Sequence, residues 1–148
     1  MQNEIAIESF NNGFNCAQSV VAAFAPEFGI SRELSLKLAT GLGAGVNYQG
    51  NTCGAVTGAY IILGLRFGVD KPHDTKAKNK YRELADRFTE EFLKHYDSVN
   101  CRNLLQADVS DPAALQKLRE ANVFNDFCPK LVKRASLILE QMLKEKID

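Results

Sequence analysis

Apolar residues recur along most of the chain at the three-to-four-residue spacing of a helix. Ala17, Val20, Val21, Phe24 and Phe28 fall on one helical face. Ser31 is a good N-cap, and the segment that it opens places Leu34, Leu38 and Leu42 on one stripe. Ala55 to Leu65 is apolar all round and ends at Arg66. It reads as a buried core helix, well short of the ~20 residues that a bilayer span requires. Tyr81, Leu84, Ala85, Phe88 and Phe92 form a further stripe with charges on the opposite face. Asp111-Pro112 pairs a cap with a proline at the first helical position. Leu131, Ala135, Ile138 and Met142 mark a last long helix. No segment sustains the two-residue alternation of a strand. The pattern predicts an all-α protein, one compact bundle of about six or seven helices over residues 1–148.

Three stretches interrupt the periodicity. Gly41-Leu42-Gly43-Ala44-Gly45 through Gly50 is a glycine-rich loop between helices. Gly68-Val69-Asp70-Lys71-Pro72 is a turn, and Asn122 to Pro129 reads as a short connector holding Phe124, Phe127 and Cys128. Gly41 to Val46 resembles a dinucleotide fingerprint only superficially. The third required glycine falls on Val46, the preceding segment is helical, and no Lys-Ser/Thr follows as in a P-loop. The loop is expected to shape the neighbourhood of Cys53.

Composition narrows the function. The 18 Lys and Arg balance the 18 Asp and Glu, which excludes a general nucleic-acid binder. With 45% hydrophobic and 24% charged residues, the chain is expected to fold. It carries four cysteines, too few for a disulfide-stapled scaffold. The opening residues Met1-Gln2-Asn3-Glu4-Ile5 have neither a basic region nor a long apolar stretch. The expectation is a cytoplasmic protein, away from membranes, with thiols that start out reduced.

The cysteines are the chemistry-bearing residues. Cys16 follows Asn15 where an amphipathic helix begins. Cys53 opens the apolar helix, Cys101 follows Asn100, and Cys128 directly precedes Pro129. All four are predicted at or beside helix N-termini, where free amides and the positive dipole end favour thiolate. No Cys-x-x-Cys occurs, so a thioredoxin-like pair and a zinc ribbon are disfavoured, as are c-type haem attachment and ferredoxin-like runs. Three readings stay open: four thiolates on one metal centre, reversible disulfides, or small buried hydrophobes in a helical interaction module. Gly54 and Gly58, stacked at i, i+4 beside Cys53, lose roughly 1 kcal/mol each relative to Ala. A closely approaching helix or a bulky cofactor is the expected reason.

Other candidates are weaker. His73 and His95 lack any neighbouring motif and read as solvated residues. The stretch from Lys71 to Arg87, with Lys76, Lys78, Lys80 and Arg82, reads as a solvated helix face. Tyr48 and Tyr60 flank the glycine-rich region. An exposed Phe88/Phe92 stripe is expected to support a homodimer.

The order Cys16, Cys53-Gly54-Ala55-Val56-Thr57-Gly58, Cys101 and Cys128 resembles the C-GCAxxG-C-C family of redox-active proteins, from about Phe14 to the last helix. It also resembles the non-haem part of split-Soret cytochromes. The resemblance implies that Cys16, Cys53, Cys101 and Cys128 bind an iron–sulfur centre, with Gly54 and Gly58 beside it. It implies no haem, since the haem-binding features are missing. The expected activity is electron transfer or oxidoreduction with a redox partner that the sequence does not name.

Overall fold

Eight α-helices and two 3-10 turns, with no β-strand, make up the computed structural model, which describes residues 1–146. In chain order the helices are α1 (Gln2–Asn11), α2 (Cys16–Phe24), α3 (Arg32–Leu38), α4 (Gly54–Phe67), α5 (Thr75–Leu93), α6 (Cys101–Leu105), α7 (Pro112–Glu120) and α8 (Val123–Lys144). The 3-10 turns are Ala25–Phe28 and Thr40–Leu42. The all-α expectation holds, with eight helices rather than about six or seven.

Local capping explains several boundaries. The Ser31 and Asp111 side chains accept from the Leu34 and Ala114 amides, as their positions predict. Pro26 at the head of the first 3-10 turn ends α2 after Phe24, which leaves Phe28 outside that helix. α8 departs most from expectation. It begins at Val123, straight after left-handed Asn122 (φ 57°), and runs through Pro129. The segment read as a connector is therefore helix. The proline gives up only one amide there, and the buried face of Leu131, Val132, Ala135, Leu139 and Met142 holds the helix in place.

The core joins Val20, Val21 and Phe24 of α2, Val56, Ala59, Ile62 and Leu63 of α4, Leu84, Phe88 and Phe92 of α5, and the α8 face. Phe88 and Phe92 are fully buried. They are not the exposed stripe on which the homodimer expectation rested, because α4 and α8 cover them. Phe88, Phe92 and Tyr96 belong to a row of rings that starts at Tyr60 and ends at Phe127, with centroid gaps of 6.1, 6.4, 5.0 and 6.2 Å. Leu34 and Leu38, in contrast, are 49% and 58% exposed.

α2 and α4 pack at close quarters because α4 carries glycines there. A Cβ on Gly54 would lie 2.8 Å from the Ala17 nitrogen, and one on Gly58 would lie 3.1 Å from Val20 Cβ. The closely approaching helix is one of the two expected reasons for these glycines. A smaller cluster of Cys101, Leu105, Val109, Leu118 and Cys128 closes the far end. Among the described residues, no helix is long and apolar enough to cross a membrane.

Candidate functional site

The first cysteine is positioned by a reciprocal cap. Asn15 accepts from the Gln18 amide at 2.8 Å, and Gln18 Oε1 accepts from the Asn15 amide at 3.0 Å. Asn15 Nδ2 also donates to the Thr40 carbonyl at 3.0 Å, which ties the head of α2 to the second 3-10 turn. Cys16 is thus the first residue of a well-anchored helix.

Cys53 and Cys101 are held by one short antiparallel contact. Thr52 and Asn100 form an isolated bridge. On either side of it, the Cys53 amide donates to Val99 and the Cys101 amide to Asn51, both at 2.7 Å. Cys53 is the N-cap of α4 and Cys101 the first residue of α6. Cys128 does not sit at a helix start, contrary to expectation. It lies inside α8, on a face that turns inward beside Leu131.

The glycine-rich loop has an unusual backbone. Ala44, Gly45, Val46, Asn47 and Tyr48 all have positive φ, at 51°, 72°, 66°, 49° and 61°. This is a left-handed turn, which L-residues disfavour by roughly 1–2 kcal/mol each. Long-reach bonds fix it: Asn47 donates to Gly41 at 2.8 Å, Gly50 to Ala44 at 3.2 Å and Asn51 to Gly45 at 2.9 Å. Gly45 is required for a second reason, since a Cβ there would meet the Asn51 nitrogen at 2.4 Å.

All four cysteines line a single cavity of about 430 Å³, together with Gly54 and the left-handed loop. Cys53, Cys101 and Cys128 are buried, Cys16 is half-buried, and all four are free thiols. Their protons are not equivalent. Hydrogen bonding to Cys128 and to Cys53, with burial, holds the Cys16 thiol well above its ordinary range. The same Cys16 interaction pulls Cys53 down, and although Cys53 makes no formal side-chain cap, the Ala55 and Val56 amides help against the opposing effect of burial. Burial first, then the charges of Cys53 and Cys128, push Cys101 up to about 12. The expectation that every helix start favours thiolate therefore fails for Cys16 and Cys101. For Cys101 desolvation outweighs a five-residue helix, and for Cys16 hydrogen bonding to Cys128 and Cys53 decides.

Among the described residues, no group of three or more His, Cys, Asp or Glu is arranged to hold a metal ion. The donor chemistry nonetheless suits a thiolate-ligated centre: four thiols face one cavity, and Gly54 leaves it open beside Cys53. Gly58 packs on Val20 and does not line the cavity. Tyr48 lines it, whereas Tyr60 bonds to Thr89 in the core. His73 and His95 are exposed and outside it. Arg119, Asn122, Phe124 and Asn125 also line it. Nothing in the sequence marked them, since a lone arginine on an amphipathic helix carries no signal.

These features define a small all-helical protein with four cysteines gathered at one cavity. The family model "Putative redox-active protein (C_GCAxxG_C_C)" matches residues 14–142. The chain belongs to that family. No curated protein and no solved structure matches it.

Proposed function

We propose that Cys16, Cys53, Cys101 and Cys128 hold an iron–sulfur cluster through which the protein exchanges electrons with a redox partner. The observation that carries this reading is that four cysteines far apart in sequence line one cavity. A single ion draws its thiolates in to about 2.3 Å, whereas a cluster spreads its thiolate ligands over several iron atoms. When bound, such a cluster supplies one-electron chemistry at a potential set by hydrogen bonding, charge and solvent exposure.

The chain's own residues have distinct parts in this reading. Cys53 is the thiol readied for ligation, since the Cys16 interaction and the Ala55 and Val56 amides favour its thiolate. Cys101 gives up its proton only to a strong Lewis acid, because its burial favours the neutral thiol. Leu104, Leu105, Phe124 and Leu131 line the same volume and restrict water. Such thiols stay reduced in the cytoplasm, where this reading puts the protein.

The test is anaerobic purification and reconstitution, with iron, acid-labile sulfide and visible absorption measured together. Cluster content is expected in the wild-type chain and its loss in Cys53→Ser. A colourless, metal-free protein after reconstitution would sink the reading.

One observation favours a second reading, thiol–disulfide exchange: hydrogen bonding between Cys16 and Cys53 raises the first thiol and lowers the second. Here the Cys53 thiolate attacks an oxidised disulfide and releases one of its two thiolates. Cys16, once deprotonated, then attacks Cys53 Sγ in the mixed disulfide and releases the second thiolate, which closes a Cys16–Cys53 bond. Peptide mapping after treatment with oxidised glutathione should recover that pair. An unchanged thiol count would rule it out.

A further inference from the structure

The cavity offers more than four thiols need. Beyond the sulfurs its walls include Phe10, Phe14 and Phe124, and its rim includes Asn125 and Arg119. No Asp, Glu or Lys lines it, so Arg119 is its single charged residue. Among the described residues Arg119 makes no ion pair, as is also true of Arg32, Arg66 and Arg134, but of these four it alone lines the cavity. The amides of Ala44 and Gly45, cavity-lining residues of the left-handed turn, also have no acceptor among the described residues.

An unpaired guanidinium at the edge of an apolar cavity is half of a salt bridge, and its planar fork matches a carboxylate with two parallel bonds. Flat aromatic walls favour an apolar body behind that head group. Arg119 is exposed at the cavity edge, which sets the head group at the rim and the body against the apolar walls. We propose that this cavity is a binding site for a small organic carboxylate, held by Arg119 at the rim and by Phe14 and Phe124 along its body. The inference rests on the redox reading for the purpose of the site, and on the cavity alone for the binding.

The test is titration of the reduced protein with benzoate, followed through backbone amide resonances of Ala44, Gly45 and Asn122. Benzyl alcohol serves as the uncharged control and inorganic phosphate as charge without an apolar body. Saturable shifts are expected with benzoate, at least tenfold weaker in Arg119→Gln and unchanged in Lys117→Gln, whose residue lies outside the cavity lining. Unmoved resonances would overturn the proposal, as would equal affinity in Arg119→Gln. Benzyl alcohol or phosphate binding as tightly as benzoate would do the same. Iron and sulfide are assayed on the same samples, which separates the two readings. A metal-free protein that binds benzoate removes the cluster and keeps the site, and a cluster-loaded protein indifferent to benzoate does the reverse.

Discussion

Gly54 stands so close to Ala17 that a methyl group on it would lie 2.8 Å from the Ala17 nitrogen and 3.1 Å from the Cys16 Cβ. This contact sets how near Cys16 comes to Cys53. Gly54→Ala forces α4 away from α2 and is expected to destabilise the protein by about 1–3 kcal/mol. It should also raise the Cys53 pKa toward the ordinary thiol range as the Cys16 interaction lengthens. Urea midpoints and pH profiles of alkylation rate in the metal-free protein measure both effects. Gly41→Ala is the control, since nothing lies within 4 Å of a Cβ there.

The raised thiols give the reduced, metal-free protein an alkaline weakness. Burial places folded Cys101 at about 12, against an unfolded thiol near 8.5. A raised folded-state pKa contributes stability that is complete below about 8.5 and is lost as pH climbs toward about 12. Cys16 acts in the same direction, and Cys53, whose pKa is lowered, opposes them. The melting temperature is expected to fall above about pH 8.5, with a shallower slope in Cys101→Ala. A Cys101→Ala slope as steep as that of the wild type would show that Cys101 is not responsible.

Val46 is a β-branched residue at φ 66°, the least suitable type for a left-handed position. Replacing it with glycine removes a strain of about 1 kcal/mol, offset in part by lost packing of a half-buried side chain. A higher urea midpoint is expected for Val46→Gly. A lower one would mean that the side chain's contacts outweigh the backbone.

Glu140 anchors the first helix to the last. Its carboxylate accepts from the Asn3 amide at 2.9 Å and from Asn3 Nδ2 at 2.9 and 3.1 Å, all buried. Glu140→Ala leaves those donors without partners and should destabilise by about 2–3 kcal/mol. Hydrogen exchange should accelerate across α1 before it does in α4.

The stripes of α2, α5 and α8 were legible in the sequence because their buried faces are made of Val, Leu, Ile and Phe. α1 was not legible. It buries Asn3, Ala6 and Ser9 while Ile5 is 42% exposed, so polar pairing with Glu140 replaces an apolar face. Leu34 and Leu38 mislead in the opposite sense, because helical spacing says nothing of what covers a stripe. At Cys128, Pro129 suggested a helix start, but tertiary packing of the α8 face prevailed over the local preference. The cysteine register and its glycines were readable because they are contiguous in sequence. The left-handed turn was not, since bonds reaching from Asn47 back to Gly41 and from Asn51 back to Gly45 impose it.

The isolated bridge between Thr52 and Asn100 makes Cys53 and Cys101 mechanically inseparable. Each thiol follows directly on a bridge residue, and each amide is held by the carbonyl that precedes the other's bridge partner. Local opening of that contact frees both backbones in one event. Slow alkylation of the closed, metal-free protein should therefore yield chains labelled at both positions or at neither. The two sulfurs would act as a single reporter of one opening equilibrium.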